Sequence, residues 1–415
     1  MKPSVLLLLW HPNDSIAGGF VRVQEFLKYF DEVDVTIIDN SPTLIKTREY
    51  KNIKIISYTT PQVIKKIYKH SYSFGRMFEW GYALLSLIRL GRKELKKRKH
   101  EVIYGPTGDN LHIFLAGVIL KKMFPQRKLL LDVLNLEMPE GSIKQYYKTF
   151  KEKNVGTVEA FLKTYSLAFL LYTEKKLIMT CDFVMTVSPY MKKIISEFYP
   201  DKKIDFTSSG VDIPKGMKKY EKSKKIYDGI YVGRHTKDKG VFDLIQVWDK
   251  MIAQDKNSHY VMAGACPQET KDQLTYLIKS NKIEKDIKIN GIVSEQEKWK
   301  LLGKSRVFFH LAYFEPLVPV ITILEALAFG IPVIMYDVSA IDDYPFLRKS
   351  PAILIAKNKN INDVVKKTLD LQKQLENNER EIRAAAKQLA KKFSWKSVAE
   401  KEVKIIQELA LNKNV

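Results

Sequence analysis

Residues 308–334 read FFHLAYFEPLVPVITILEALAFGIPVI. An apolar strand passes through a loop into a helix that opens near Thr322 and carries Glu325 in its first turns. Gly330 and Pro332 end that helix, and a second apolar strand follows. A helix N-terminus aimed into a cleft is an anion site, because its free N–H groups and its dipole both favour negative charge. Upstream, residues 231–240 read YVGRHTKDKG and set Arg234 and Lys239 just after another strand. Two cations and a helix N-terminus in one half of the chain point to a diphosphate ligand.

Strand and helix alternate outward from this stretch, the pattern of two doubly wound sheets. The first half is expected to hold strands at residues 5–10, 35–38, 53–57, 102–104, 129–133 and 183–187. A helix over residues 20–30 follows the glycine pair Gly18-Gly19. The second half is expected to hold strands at residues 228–232, 260–263, 287–289, 307–310, 332–335 and 352–355. The lysine-rich stretch 215–225 reads as a linker or edge, and a last helix is expected over residues 396–411. In open α/β sheets ligands sit beyond the carboxyl ends of the strands, which sends the candidate residues of both halves to a central cleft.

Composition sets the outer bounds. A chain of 415 residues holds two domains of ordinary size, each with its own core. Hydrophobic content of 45% against 28% charged residues excludes a disordered chain. No apolar run reaches the roughly 18 residues needed to span a bilayer. The opening MKPSVLLLLWHPND has one basic residue, a very short apolar stretch and no small-residue cleavage site, so it reads as a buried parallel strand and not as a signal peptide. Cys181 and Cys266 lie far apart and outside any Cys/His cluster, so a reducing, cytoplasmic location is expected and a zinc site is not.

The net charge of +22 has two readings, a solvated lysine-rich surface or attraction to an anionic one. Residues 65–100 and 143–176 mix cations with aromatic and aliphatic residues, as a basic amphipathic helix on anionic lipid does. No zinc-finger, RNA-recognition or helix-turn-helix pattern is present, so nucleic acid is not an expected partner.

Eight short segments, in order, carry a family resemblance: Gly18-Gly19, CDFVMTVS (181–188), SSGVD (208–212), VGR…KG (232–240), VMAGA (261–265), INGIVS (289–294), EALAFGIPVI (325–334) and FSW (393–395). Over nearly its whole length the chain resembles the family 4 glycosyltransferases, retaining enzymes of the GT-B fold. The resemblance implies two Rossmann-like doubly wound domains facing a central cleft. Residues 1–212 would form the acceptor-binding domain and residues 213–394 the nucleotide-sugar-binding domain, with the helix of residues 395–415 packing back on the first. It implies a nucleoside diphosphate sugar as donor substrate, a hydroxyl acceptor such as a glycan or lipid-linked oligosaccharide, and no cofactor or metal.

The same resemblance assigns site residues. Arg234 and Lys239 would meet the diphosphate, whose charge grows in the transition state; fixed cations there lower the barrier. The alternative is two exposed cations on a loop. Gly18 and Gly19 would lie near the donor phosphates, or else form an ordinary βα turn. Glu325 corresponds to the second glutamate of the family's Glu-x7-Glu motif, which hydrogen-bonds the nucleotide ribose. Thr322 is expected near the distal phosphate, and Ile292 and Val293 along the base.

The chain also departs from the pattern. Leu317 stands where the family's first glutamate should be; Glu315 comes two residues early, with Pro316 and Pro319 reshaping the loop. Glu315 is expected to take the role, and its loss would instead suggest a catalytically inactive GT-B subunit that binds a partner enzyme or glycan. Many family members have a histidine after the strand matching residues 129–133, where this chain has Asp132 and Asn135. His112 and Asp109, from the preceding loop, are the candidates to approach the reacting sugar.

Overall fold

The computed structural model describes residues 2–11, 18–40, 52–70, 72–106, 111–133, 147 and 157–411. The chain divides into two compact units. The first contains Met1–Val187, Met191–Thr207 and Val398–Val415; the second contains Ser188–Tyr190 and Ser208–Ser397.

The first unit is built on a seven-stranded sheet whose paired strands all run parallel. Its strands are β1 (Ser4–Leu8), β2 (Asp34–Asp39), β3 (Ile53–Ser57), β4 (Val102–Gly105), β5 (Lys128–Val133), β6 (Phe183–Thr186) and β7 (Ile204–Phe206), in the order β3-β2-β1-β4-β5-β6-β7. Val5 to Leu8 are fully buried on both faces, which is why the opening run is apolar without alternation. Helices α1 (Gly18–Leu27), α2 (Gln62–His70), α3 (Tyr72–Lys97), α4 (Leu111–Met123), α5 (Thr157–Thr180) and α6 (Pro189–Phe198) connect the strands. The edge strand β7, only three residues long and half-buried, has no counterpart in the sequence reading.

The second unit repeats the plan. Strands β8 (Tyr227–Val232), β9 (Tyr260–Ala263), β10 (Ile287–Asn290), β11 (Ser305–His310), β12 (Val333–Tyr336) and β13 (Ile353–Ala356) pair in parallel in the order β10-β9-β8-β11-β12-β13. Helices α7 (Val241–Gln254), α8 (Gln268–Ser280), α9 (Glu295–Gly303), α10 (Ile321–Ala328), α11 (Pro345–Arg348) and α12 (Ile361–Lys391) cover it. In its core, Trp248 stacks on Tyr260 (4.8 Å) and meets Phe309 edge-on (5.9 Å). In each sheet the winding reverses between the unit's first and fourth strands, β1/β4 and β8/β11, which sets the ligand-binding crevice of such a sheet.

Residues 215–225, expected as a linker or edge, belong to the second unit. Lys218–Lys222 forms a 3-10 helix packed on the second unit: Gln296 Nε2 donates to Tyr220 Oη (2.9 Å), Lys225 Nζ donates to Gly303 O (2.7 Å), and Lys387 pairs with Glu221. Lys218, Lys219 and Lys222 face solvent, while Tyr220, Glu221 and Lys225 make these contacts.

The last helix, α13 (Trp395–Ala410), contributes Ala399, Val403, Ile406 and Leu409 to the core of the first unit, beside Val5, Leu7, Phe26 and Phe30. A buried polar knot ties it there. Arg22 of α1 donates to Asp132 Oδ2 (2.5 Å) and to Thr207 and Glu402, and Tyr104 Oη donates to Glu402 Oε2 (3.1 Å). Burial alone would lower the Arg22 pKa, but the two carboxylates hold it above its ordinary value.

Candidate functional site

At the carboxyl edge of the second sheet the strand ends are knitted by backbone. Gly233 N donates to Ala263 O (3.0 Å), Gly264 N to Gly291 O (3.0 Å) and His235 N to Ala265 O (2.8 Å). Gly264 stands at φ 143°, and a Cβ there would lie 1.9 Å from Gly233 O, so this approach of β8 and β9 admits only glycine. Arg234 follows β8, exposed, and its side chain makes no ion pair among the described residues.

Lys237–Lys239 forms a 3-10 turn that ends at Gly240, in the left-handed region at φ 67°. A Cβ on Gly240 would lie 1.9 Å from Leu311 O, just past β11. That contact brings the turn after β8 against the loop after β11, at the reversal point of the sheet. Lys239 thereby pairs with Glu315, and His310 Nε2 lies 3.2 Å from the same Glu315 oxygen. Burial by itself raises the Glu315 pKa; the hydrogen bond and charge of His310 and the charge of Lys239 outweigh it and hold the carboxyl below its ordinary value. Of the expected diphosphate and catalytic residues, the structure therefore brings Lys239 and Glu315 together, with His310 as an unanticipated third member. His310 is the last residue of β11 and had no distinguishing neighbour in the sequence.

Helix α10 begins a few residues later. No side chain caps it, and its amides at Ile321, Thr322 and Ile323 precede the first intrahelical bond, from Leu324 N to Val320 O (3.1 Å). Thr322 stands in this first turn, half-buried. Glu325, one turn on, is buried and accepts from Lys298 Nζ of α9 at 2.5 Å. Lys298 also reaches Glu295 Oε1 (2.8 Å); burial lowers its pKa, and the two carboxylates more than reverse that. No sequence signal marked Lys298, one cation among many in a lysine-rich chain. Ile292 and Val293 lie between β10 and α9, Ile292 exposed and Val293 packed against the core. Asp243 accepts from both Tyr313 Oη (3.0 Å) and Tyr336 Oη (2.8 Å), and Asp337 and Asp342 both pair with Arg348 (2.7 Å each).

In the first unit Gly18 and Gly19 open α1; residues 12–17, Asp109 and Asn135 lie outside the described residues. Arg22 and Asp132 belong to the buried knot on α13. His112 sits near the start of α4, edge-on to Trp10 (4.9 Å) and stacked on Trp80 (5.6 Å), and Arg76 lies over both indoles. Neither ring nitrogen has a hydrogen-bond partner among the described residues. Burial, with help from Arg76, lowers its pKa to about 3, so at neutral pH it is an uncharged imidazole in an aromatic sandwich.

On α3, Met77, Phe78 and Leu85 are exposed and lead into exposed Arg89, Arg92, Lys93, Lys96 and Lys97. On α5, Phe161, Tyr165, Tyr172 and Met179 are exposed. No described helix is long and apolar enough to cross a membrane.

Two parallel Rossmann-like sheets define the GT-B glycosyltransferase fold. Residues 212–389, most of the second unit, match the family described as glycosyl transferases group 1. Among solved structures, a glycosyltransferase from Rickettsia africae is 17% identical with a TM-score of 0.67, covering 100% of both chains. A sucrose-phosphate synthase from Thermosynechococcus elongatus is 15% identical with a TM-score of 0.71, covering 99% of this chain and 100% of that one. Anabaena HepE, in complex with UDP and glucose, is 13% identical with a TM-score of 0.68, covering 98% and 99%. No curated protein sequence matches the chain.

Proposed function

We propose that this chain is a retaining family 4 glycosyltransferase that moves a hexose-type sugar from a nucleoside diphosphate sugar to a hydroxyl acceptor without a bound metal. One observation carries the reading: exposed Arg234, Lys239 on its glycine-ended turn and the uncapped first turn of α10 all belong to the carboxyl edge of the second sheet. Such groups suit a diphosphate whose charge increases as the sugar departs. In this reading Arg234 and Lys239 bind the diphosphate, Thr322 meets the distal phosphate, and Glu325 accepts from the ribose. Ile292 and Val293 border the base. Glu315, next to Lys239, stands in for the first motif glutamate and faces the donor sugar. The departing phosphate takes the acceptor proton on the same sugar face, so no protein nucleophile is needed and positioning supplies most of the rate.

The reading extends to a cytoplasmic enzyme whose acceptor is a glycolipid or lipid-linked oligosaccharide. Its support is the exposed apolar residues of α3 running into a cationic stretch, a composition suited to anionic lipid.

Calorimetric titration of UDP, GDP, ADP and dTDP into the wild type, Arg234→Ala and Arg234→Ala/Lys239→Ala tests the donor site. Selective binding that weakens stepwise across the variants is expected. A wild type that binds none of the four at millimolar concentration sinks the assignment. Binding without turnover over a broad acceptor panel supports the inactive-subunit reading instead.

A further inference from the structure

The geometry points to Lys298 as a positioning residue for nucleotide recognition, one that fixes the Glu325 carboxylate so that it can accept hydrogen bonds from the vicinal hydroxyls of a ribose. The inference rests on the donor reading above and adds to it a residue on a different helix.

Lys298 lies in the second turn of α9, whose N-terminus is capped by Ser294 Oγ accepting from Glu297 N (3.2 Å). Its ammonium is largely buried, 2.5 Å from Glu325 and 2.8 Å from Glu295. The adjacent residue, Trp299, is buried and packs on Phe329 at the end of α10 with ring centroids 4.8 Å apart. Helices α9 and α10 are thus held to each other at two points, one apolar and one ionic.

The apolar contact already packs the two helices together. A buried ion pair is weak evidence of stability, since well-packed apolar residues of similar volume often do as well or better. Retaining a lysine and a glutamate in that interface therefore calls for a use of the carboxylate. Glu325 stands one turn into a helix that opens at the carboxyl edge of the sheet, where a nucleotide would lie. A carboxylate has about four acceptor positions, so one that accepts from a lysine can also accept from hydroxyls. The facing charges are Glu295 and Glu325 on one cation, so removing Lys298 leaves two carboxylates without it.

The test measures a ratio, not an affinity. The nucleoside diphosphate that the wild type binds best is titrated beside its 2′,3′-dideoxy counterpart into wild type, Lys298→Met, Lys298→Arg and Glu325→Gln. The wild type should prefer the ribose form by about tenfold or more, the size expected of hydrogen bonds to a charged group. Lys298→Met and Glu325→Gln should both bring the ratio close to unity, and Lys298→Arg should retain most of it. A general loosening of the fold would weaken both ligands and leave the ratio unchanged. If Lys298→Met does not fold, Lys298→Gln, which keeps a donor without its charge, replaces it under the same criterion.

A Lys298→Met protein that keeps the wild-type ratio overturns the inference while leaving the donor site standing. A wild type that binds both forms equally overturns the ribose role of Glu325 and this inference with it. A wild type that binds neither form refutes the donor reading itself.

Discussion

Acidification should destabilise the first unit, and His112 should account for a separable part of the loss; His100, Glu94 and Asp205, whose pKa values are also lowered, act alike in the wild type and in a His112 variant. Its imidazole is 5% exposed, packed between Trp10 and Trp80, and lacks a hydrogen-bond partner among the described residues. Its pKa falls from the ordinary 6.5 to about 3, because burial disfavours the cation and Arg76 adds repulsion. In the unfolded chain the ring takes up its proton near pH 6.5; in the folded chain it does not until near pH 3. Stability from this group is therefore complete above the unfolded value and is lost as pH falls through the window between the two. At pH 5 the difference amounts to about 2 kcal/mol relative to pH 7.5.

His112→Phe keeps an aromatic ring in the sandwich and removes the titration. Hydrogen exchange read peptide by peptide reports the opening of each unit separately, so the first unit can be followed without interference from His235 in the second. Between pH 7.5 and 5 the wild-type first unit should lose about 2 kcal/mol more than the variant does. At pH 7.5 the variant should be no less stable, since a buried ring with two unmatched nitrogens gives way to one with none. Equal acid sensitivity of the two proteins would refute the placement of His112 as a buried neutral ring.

Two further outcomes follow from the packing. Gly240→Ala combines left-handed strain at φ 67° with a Cβ 1.9 Å from Leu311 O, and should cost the second unit about 2–4 kcal/mol in exchange-derived stability. Gly216→Ala, at φ 85° with open space around it, should cost only about 1–2 kcal/mol. Arg22→Met leaves Asp132 and Glu402 buried without their shared cation and should destabilise the first unit by about 3–5 kcal/mol, whereas Arg348→Met at the surface should cost below about 1 kcal/mol by the same measurement.

Much of the architecture was legible in the sequence because parallel strands buried on both faces leave a contiguous signal. Runs such as VLLLL near residue 5 and VFFH at residue 307 declare themselves without partners. β7 escaped because an edge strand of three half-buried residues has neither length nor polarity contrast. The glycines of VMAGA and the Lys239-Gly240 turn were legible as positions but not as reasons. Their reasons are carbonyl oxygens of Gly233 and Leu311, supplied by distant parts of the chain.

Local sequence was enough to predict two doubly wound sheets, the succession of most strands along the chain, and the places of Arg234, Lys239, Thr322 and Glu325 after strand ends or at the opening of a helix. Spacing and hydrophobic pattern are properties of neighbours along the chain, and these conclusions need nothing more. The partners of these residues, and the order of strands within each sheet, come from the folded chain. Lys239 with Glu315 and His310, Lys298 with Glu325, Arg22 with Glu402 across 380 positions, and His112 between two indoles all join residues far apart in sequence or differing in no local pattern. Whether a charge is solvated, paired or suppressed depends on what folding brings within a few ångströms of it, and the linear order of residues does not carry that distance.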